Sequence, residues 1–207
     1  MQKIGFNMHL NGNTTRVEPE EIERYAAEYR LDQLIPGRYS SLFVFNLMSL
    51  ERVSHVDVMP VIKEIQQLEG RGAGLQMKPA TEFRGDRLKG LWHQHFFVTH
   101  PSAIAQNIQN HLKGGRLEAL AKQHLSAEGR LSADAIHEFT HAVVTGSLEE
   151  RAEAGKLTGE WIIFAKEDAG KFYLSIETHN QNDEVIAQNL RTACLPQFPF
   201  LSEYPLR

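Results

Sequence analysis

The stretch His137-Glu138-Phe139-Thr140-His141 contains the residue types of a hydrolytic zinc site. On an α-helix, residues i and i+4 lie above one another on the same face, so His137 and His141 could bind one metal ion. Glu138 would lie beside that ion, where a carboxylate can take the proton of a metal-bound water. The spacing therefore predicts His137 and His141 as metal ligands and Glu138 as the general base.

The run from His137 to Val143 resembles the active-site helix of thermolysin-type zinc metallopeptidases, a group of the HExxH zincins. The resemblance implies a zinc-dependent hydrolase, and most simply a small peptidase that acts on a peptide or protein substrate. It covers seven of the 207 residues. The Asn-Glu-x-x-Ser-Asp segment that supplies the third ligand in that family has no counterpart here.

The third zinc ligand has several candidates elsewhere in the chain. His93 and His95 alternate along a predicted strand, so both imidazoles would project from one face. His179 ends a later predicted strand, and Glu160 begins the strand before it. A third imidazole would complete a three-histidine site, and we rank His93 and His95 ahead of His179. Tyr173 or His179 could stabilise the oxyanion during hydrolysis.

Two other functions fit the same residues. The first is a metal-independent ribonuclease or toxin-like enzyme, in which a strand histidine and Glu138 act as acid and base. Its phosphate would be bound by basic side chains, with Arg87, Lys89 and Lys171 as candidates. The second is a non-catalytic protein-binding module of the antitoxin or immunity type, whose acidic surface meets a basic partner.

The composition limits the class of protein. Hydrophobic residues at 42% and charged residues at 23% are ordinary for a globular chain, and the absence of a long linker predicts one domain over residues 1–207. A net charge of −4 argues against general nucleic-acid binding. With a single Cys194, no leader-like start and no apolar run near ~20 residues, we expect a cytoplasmic protein without a membrane partner, or one exported without a cleavable leader.

Periodicity predicts an α+β fold, with a helical first part and a central buried helix on a small, mainly antiparallel sheet. Helices are expected over residues 18–34, 57–68, 117–125, 132–154 and 183–193, and after Pro101. Strands are expected over residues 3–10, 41–50 and 89–99, followed by a hairpin of residues 160–167 and 171–179. The apolar hairpin face should pack on the motif helix, with Phe172, Leu174 and Ile176 meeting Ile136, Phe139 and Val143. The opposite face, with Tyr173, Ser175 and Glu177, should face solvent.

Overall fold

The computed structural model of the protein describes residues 4–10, 12–72, 77–97, 101–125, 132–154, 160–178 and 181–206. Its α+β fold confirms the predicted class. The strands are β1 (Phe6–Leu10), β2 (Asn13–Val17), β3 (Thr81–Glu82), β4 (Trp92–Phe96), β5 (Glu160–Glu167) and β6 (Gly170–Glu177). The α-helices are α1 (Pro19–Glu28), α2 (Leu31–Leu34), α3 (Ser41–Arg52), α4 (Met59–Leu68), α5 (Pro101–Leu112), α6 (Arg116–His124), α7 (Ala133–His141), α8 (Ser147–Glu153) and α9 (Asp183–Asn189). Among the described residues, none of these helices is long and apolar enough to cross a membrane.

Antiparallel pairing organises both sheets. The main sheet has the order β3-β4-β5-β6, and β1 and β2 form a separate hairpin. The predicted C-terminal hairpin is confirmed, because β5 pairs with β6 from Glu167↔Gly170 to Trp161↔Glu177, with a shift in register at Ile163/Phe164. Its turn needs a glycine, since Gly170 has a φ of +116°.

Helix α3 occupies residues for which a buried strand was predicted, and that prediction was wrong. The Ser40 hydroxyl accepts a hydrogen bond from the Phe43 amide and so caps the helix. Phe43 and Leu47 lie on one buried face, at the spacing of a helix rather than a strand. The buried helix that packs on the sheet is therefore α3.

Other elements also differ from expectation. The helix predicted over residues 18–34 is divided, because Arg30 takes a left-handed conformation between α1 and α2. The helix predicted over residues 132–154 is interrupted by a π-helical turn at Ala142–Gly146. The residues after β1, for which no strand was predicted, build β2, which pairs with β1 from Phe6↔Val17 to Leu10↔Asn13.

Both faces of the main sheet are covered, so the expectation of a solvated face on β6 was wrong. One hydrophobic cluster joins α1 to α4 to the sheet residues Phe96, Ile162 and Phe164. The other joins the C-terminal segment to the opposite face through Ile163 and Leu174. Tyr173, Ser175 and Glu177 are consequently buried.

The free edge of β6 is covered by the chain that leads into α3. Tyr39 forms a parallel bridge with Tyr173, and the Ser40 amide donates to the Tyr173 carbonyl over 2.9 Å. The Ser40 hydroxyl donates to Leu174 O at 2.6 Å, and Asn46 Nδ2 donates to Ile176 O at 2.9 Å. Three carbonyl groups of the edge strand are thus paired, although no further strand follows it in the described sheet.

A charged network lies beside this edge. The Tyr173 hydroxyl donates to Glu69 Oε1 over 2.9 Å, and the Arg38 guanidinium forms an ion pair with the same carboxylate. Burial alone would raise the pKa of Glu69, but the hydrogen bonds and charge of Arg38 and Tyr173 lower it overall. Glu69 is therefore held in its charged form under the edge of the sheet.

The motif helix does not pack on the hairpin as predicted. The main helical neighbour of β6 is α3, whereas α7 packs with α6 and with the π-helical turn. Leu174 and Ile176 belong to the two hydrophobic clusters, while Ile136 is 46% exposed. Helices α5 to α8, which we call the helical insertion, lie between the neighbouring strands β4 and β5 and mainly contact one another.

We predict that Glu177→Gln removes a pH dependence of stability. Burial raises the pKa of Glu177 from 4.5 to about 7, against a smaller lowering by the nearby Ser175 hydroxyl. A raised carboxyl pKa stabilises the fold below pH 4.5, and this contribution is lost as the pH rises through about 7. Denaturation at several pH values measures the free energy of unfolding. Between pH 4.5 and about 7, this free energy should rise in the variant relative to the wild type by about 3 kcal/mol. The control Glu203→Gln, at an exposed position, should show the same dependence of stability on pH as the wild type. The same dependence in Glu177→Gln would contradict the prediction.

We predict that Tyr173→Phe lowers the free energy of unfolding by about 1–3 kcal/mol, because it removes a hydrogen bond to a buried charged group. Urea denaturation near pH 7 measures the change. Tyr39→Phe is the matched control, since the Tyr39 hydroxyl donates to Asp32 at an exposed position. Equal losses in the two variants would show that the burial of the network is irrelevant to its strength.

Candidate functional site

Helix α7 presents the motif histidines on an exposed surface. The helix begins after Ser132, whose hydroxyl accepts a hydrogen bond from the Ala135 amide at 3.0 Å. It continues without interruption through His141, so His137 and His141 keep the i, i+4 relation. Both side chains are exposed. The predicted pair of nitrogen ligands is thus present on one helix, but at the surface rather than in a cleft.

Glu138, the predicted general base, lies beside a histidine at the surface. Its Oε2 lies 3.7 Å from Nδ1 of His124 on α6, and its side chain is 69% exposed. Exposed pairs of this kind interact weakly because water screens them. The carboxylate is available to solvent but is not held against an enclosed substrate site.

The strand histidines belong to a different environment. On β4, the His93 ring lies 4.6 Å from Phe83 and 4.9 Å from Trp161, measured between ring centroids. His95 is buried and lies 5.4 Å from His93. These contacts describe an aromatic cluster on the sheet.

No third ligand joins the motif pair within the described residues. Across those ranges, no group of three or more His, Cys, Asp or Glu side chains is arranged to hold a metal ion. Glu160 begins β5 and borders a cavity with Glu177, and His179 lies outside the described residues. The described side chains therefore do not fit a three-ligand catalytic zinc site.

Tyr173, the candidate for oxyanion stabilisation, is fully buried and donates to Glu69. Burial and the Glu69 carboxylate both raise its pKa above the ordinary value for tyrosine. Its hydroxyl is committed to the network at the β6 edge, so the structure does not bring it to the motif helix.

The residues of the ribonuclease interpretation are also dispersed. Arg87 lies 3.4 Å from Glu184, and Lys171 Nζ donates to Leu68 O over 2.6 Å. Lys89 borders a separate groove beside Trp92. The structure does not gather these cations around Glu138 or the strand histidines.

The helical insertion has an unusual distribution of apolar side chains. Neither hydrophobic cluster contains any of its described residues, and its buried described side chains are the polar Asn107 and Ser147. Leu117, Ile136 and Val144 are exposed at 44%, 46% and 41%. The sequence indicated apolar stripes on the motif helix, but periodicity could not show that they remain at the surface.

An apolar groove extends this surface between α5 and the start of α6. It encloses about 510 Å³, and its apolar lining residues are Ala105, Ile108, Leu112 and Leu117. Polar contacts hold the helices around it, since Arg116 forms an ion pair with Glu150 and Arg151 Nε donates to Asn107 Oδ1 over 3.1 Å. The insertion is thus tied together by polar contacts and leaves apolar area on its outside.

Comparisons with known proteins do not assign this chain to a family. No family model, no curated protein and no solved structure matches it.

Proposed function

We propose that this chain is a non-catalytic protein-binding protein and that the helical insertion is its binding element. The observation that carries the proposal is the exposure of Leu117, Ile136 and Val144 on helices whose described residues add nothing to the hydrophobic clusters. Large apolar side chains exposed on neighbouring helices can mark a protein interface. A partner that covers it would supply the burial that the insertion lacks.

The orientation of α6 against α7 and α8 supports a continuous surface. His124 meets Glu138 near one end, and Arg116 meets Glu150 near the other, so the two segments run antiparallel. Leu117 therefore lies level with the residues just after the π-helical turn, and Val144 lies within that turn. The antiparallel helices present an elongated face to which an apolar helix of a partner could bind.

The charge of the insertion indicates which charge the rim of the partner's binding surface carries. The described residues of the insertion contain six Asp or Glu and four Lys or Arg. The excess is small, but it has the same sign as the net charge of −4 for the chain. We therefore propose a partner with an apolar centre and a basic rim, since complementary charges favour encounter and register. We place this encounter in the cytoplasm, because a chain with a single cysteine needs no oxidising compartment.

A zinc-dependent hydrolase, with peptidase activity as the first form to test, is a second proposal. It is supported by the uninterrupted helix that carries His137 and His141 at i, i+4, and by Glu138 between them. A third protein ligand would have to come from outside the described residues, where His179 is the candidate. The present ligand set is incomplete, so the protein-binding proposal has the stronger support.

We predict that Ile136→Asp and Leu117→Asp weaken partner binding by about tenfold or more while changing the free energy of unfolding by less than about 0.5 kcal/mol. A photo-crosslinking residue at position 136 would first trap the partner, which is identified by mass spectrometry and purified. Isothermal titration would then compare the affinities of the wild type and the variants.

Met59→Asp is the matched control, because Met59 is 44% exposed but lies on α4, outside the insertion. Its binding should equal that of the wild type. Equal cross-linking from positions 59 and 136, or full affinity in Ile136→Asp, would refute the insertion as the binding element.

We predict that the wild type, purified without a histidine tag, holds far less than one equivalent of zinc if protein binding is its function. The hydrolase proposal expects about one equivalent, retained in Glu138→Gln and lost in His141→Ala, because only the histidine would be a ligand. Elemental analysis of the three proteins distinguishes the proposals. Stoichiometric zinc with this variant pattern would favour the hydrolase.

A further inference from the structure

A cavity of about 390 Å³ lies at the end of the main sheet where β6 ends. Three elements enclose most of it: strand β1, the C-terminal part of α3 and the end of β6. Stacking of Phe6 on Phe45, with ring centroids 4.7 Å apart, holds the β1–β2 hairpin against α3. This volume is within the range of sites that bind small molecules.

Glu177 is a buried carboxyl group on the wall of this cavity. It is 8% exposed, and its Oε1 has no hydrogen-bond partner among the described residues. The Ser175 hydroxyl is near enough to lower the pKa of Glu177 slightly, but it forms no hydrogen bond of normal geometry among the described residues. A buried acceptor without a donor costs free energy that most proteins avoid.

Asn46 adds a second acceptor to the same wall. Its Nδ2 donates to the Ile176 carbonyl over 2.9 Å, which assigns the orientation of the amide because a carbonyl can only accept. The Oδ1 atom is buried and has no donor among the described residues. The wall thus has two acceptor oxygens without donors, and neither Glu177 nor Asn46 contributes a positive charge.

The rest of the described lining has no cationic Lys or Arg side chain, although Arg16 on β2 reaches Asn7 at the border. Glu160 adds a second carboxylate group. The apolar part of the wall consists of Met8, Phe45, Leu50, Val53 and Ile176. The remaining lining residues are polar, and they are Asn7, His9, Ser49, Ser54, Thr178 and Gln181. The cavity therefore combines two carboxyl groups with an apolar part and has no Lys or Arg in its lining, which favours an amphiphilic cation over an anion.

We propose that this cavity binds a primary ammonium group carried on an apolar body, with the Glu177 carboxylate as its counter-ion and Asn46 Oδ1 as a second acceptor. An ammonium has several N–H donors and no acceptor, so it complements both groups at once. The described residues hold no metal-binding cluster, which favours an organic cation over a metal ion. A small rotation of the Glu177 carboxyl group would turn an oxygen toward the ligand, because its terminal torsion is soft. The Asn46 amide keeps the orientation set by its bond to Ile176 O.

Two sources can supply this chemistry: a free small amine or the side chain of a lysine. The first probe is 2-phenylethylammonium, with 2-phenylethanol as the uncharged analogue and 3-phenylpropionate as the anionic one. The second is Nα-acetyl-lysine methylamide, which presents the same ammonium on an aliphatic stem. Titration of the isotope-labelled full chain, followed by NMR of the amide groups, measures each affinity.

We expect 2-phenylethylammonium to bind with a dissociation constant on the order of 1 mM or tighter, with shifts centred on Asn46, Ser49 and Thr178. Neither analogue should bind measurably. Glu177→Gln should reduce the affinity about tenfold to a hundredfold, because it removes a charge-assisted hydrogen bond. Saturation by the lysine probe instead of the free amine would assign a protein-borne lysine as the source.

Glu64→Gln is the matched control, because Glu64 is 1% exposed and lies on α4, outside the cavity lining. It should bind the amine as the wild type does. Ser49→Leu provides a second variant that fills the cavity from α3 without altering the carboxylate, and it should also abolish binding. Binding that survives both Glu177→Gln and Ser49→Leu, or no binding of either ammonium probe to the wild type, would overturn the proposal.

Discussion

The hydrogen bonds between the α3 region and the edge of β6 are the contacts on which the rest of the structure depends. Ser40 and Asn46 pair the carbonyl groups of Leu174 and Ile176, so a helix takes the place of a further strand. This contact brings the first four helices onto one face of the sheet. The C-terminal segment then covers the other face, which leaves β6 buried on both sides. A polar edge contact thereby positions most of the hydrophobic core.

The same contact concentrates buried polar groups along one strand. Tyr173 reaches the Arg38–Glu69 ion pair at one end, where donors and acceptors are matched. At the other end, Glu177 and Asn46 have acceptors that remain unmatched. Well-paired buried groups stabilise a fold, whereas unmatched ones suggest a ligand or stored strain. The strand therefore has a structural end and an end available for binding.

Sequence periodicity predicted the hairpin well, because alternation over β5 and β6 and a glycine at the turn identify antiparallel strands locally. It failed at α3, where an aromatic-rich run suggested a strand although Ser40 was an available cap signal. Alternation placed Leu174 and Ile176 on one face, but the hairpin has a shift in register at Ile163/Phe164 and the two residues belong to different clusters. Alternation also cannot show whether a second layer covers a face, so the burial of Glu177 was missed. Likewise, the spacing of His137 and His141 predicts their relation on a helix but not what surrounds the helix.

The position of the helical insertion has a consequence for how the chain folds. Its ends are adjacent, since β4 and β5 pair at Phe96↔Glu160. Relative to a tight turn, closing so long a loop costs only roughly 2–3 kcal/mol, because the entropy grows with the logarithm of its length. The described residues of the insertion bury no apolar side chain, so its assembly contributes little free energy toward closing this loop. The pairing of β4 with β5 therefore depends on the two hydrophobic clusters that cover the sheet, and the insertion can open locally while the sheet stays intact.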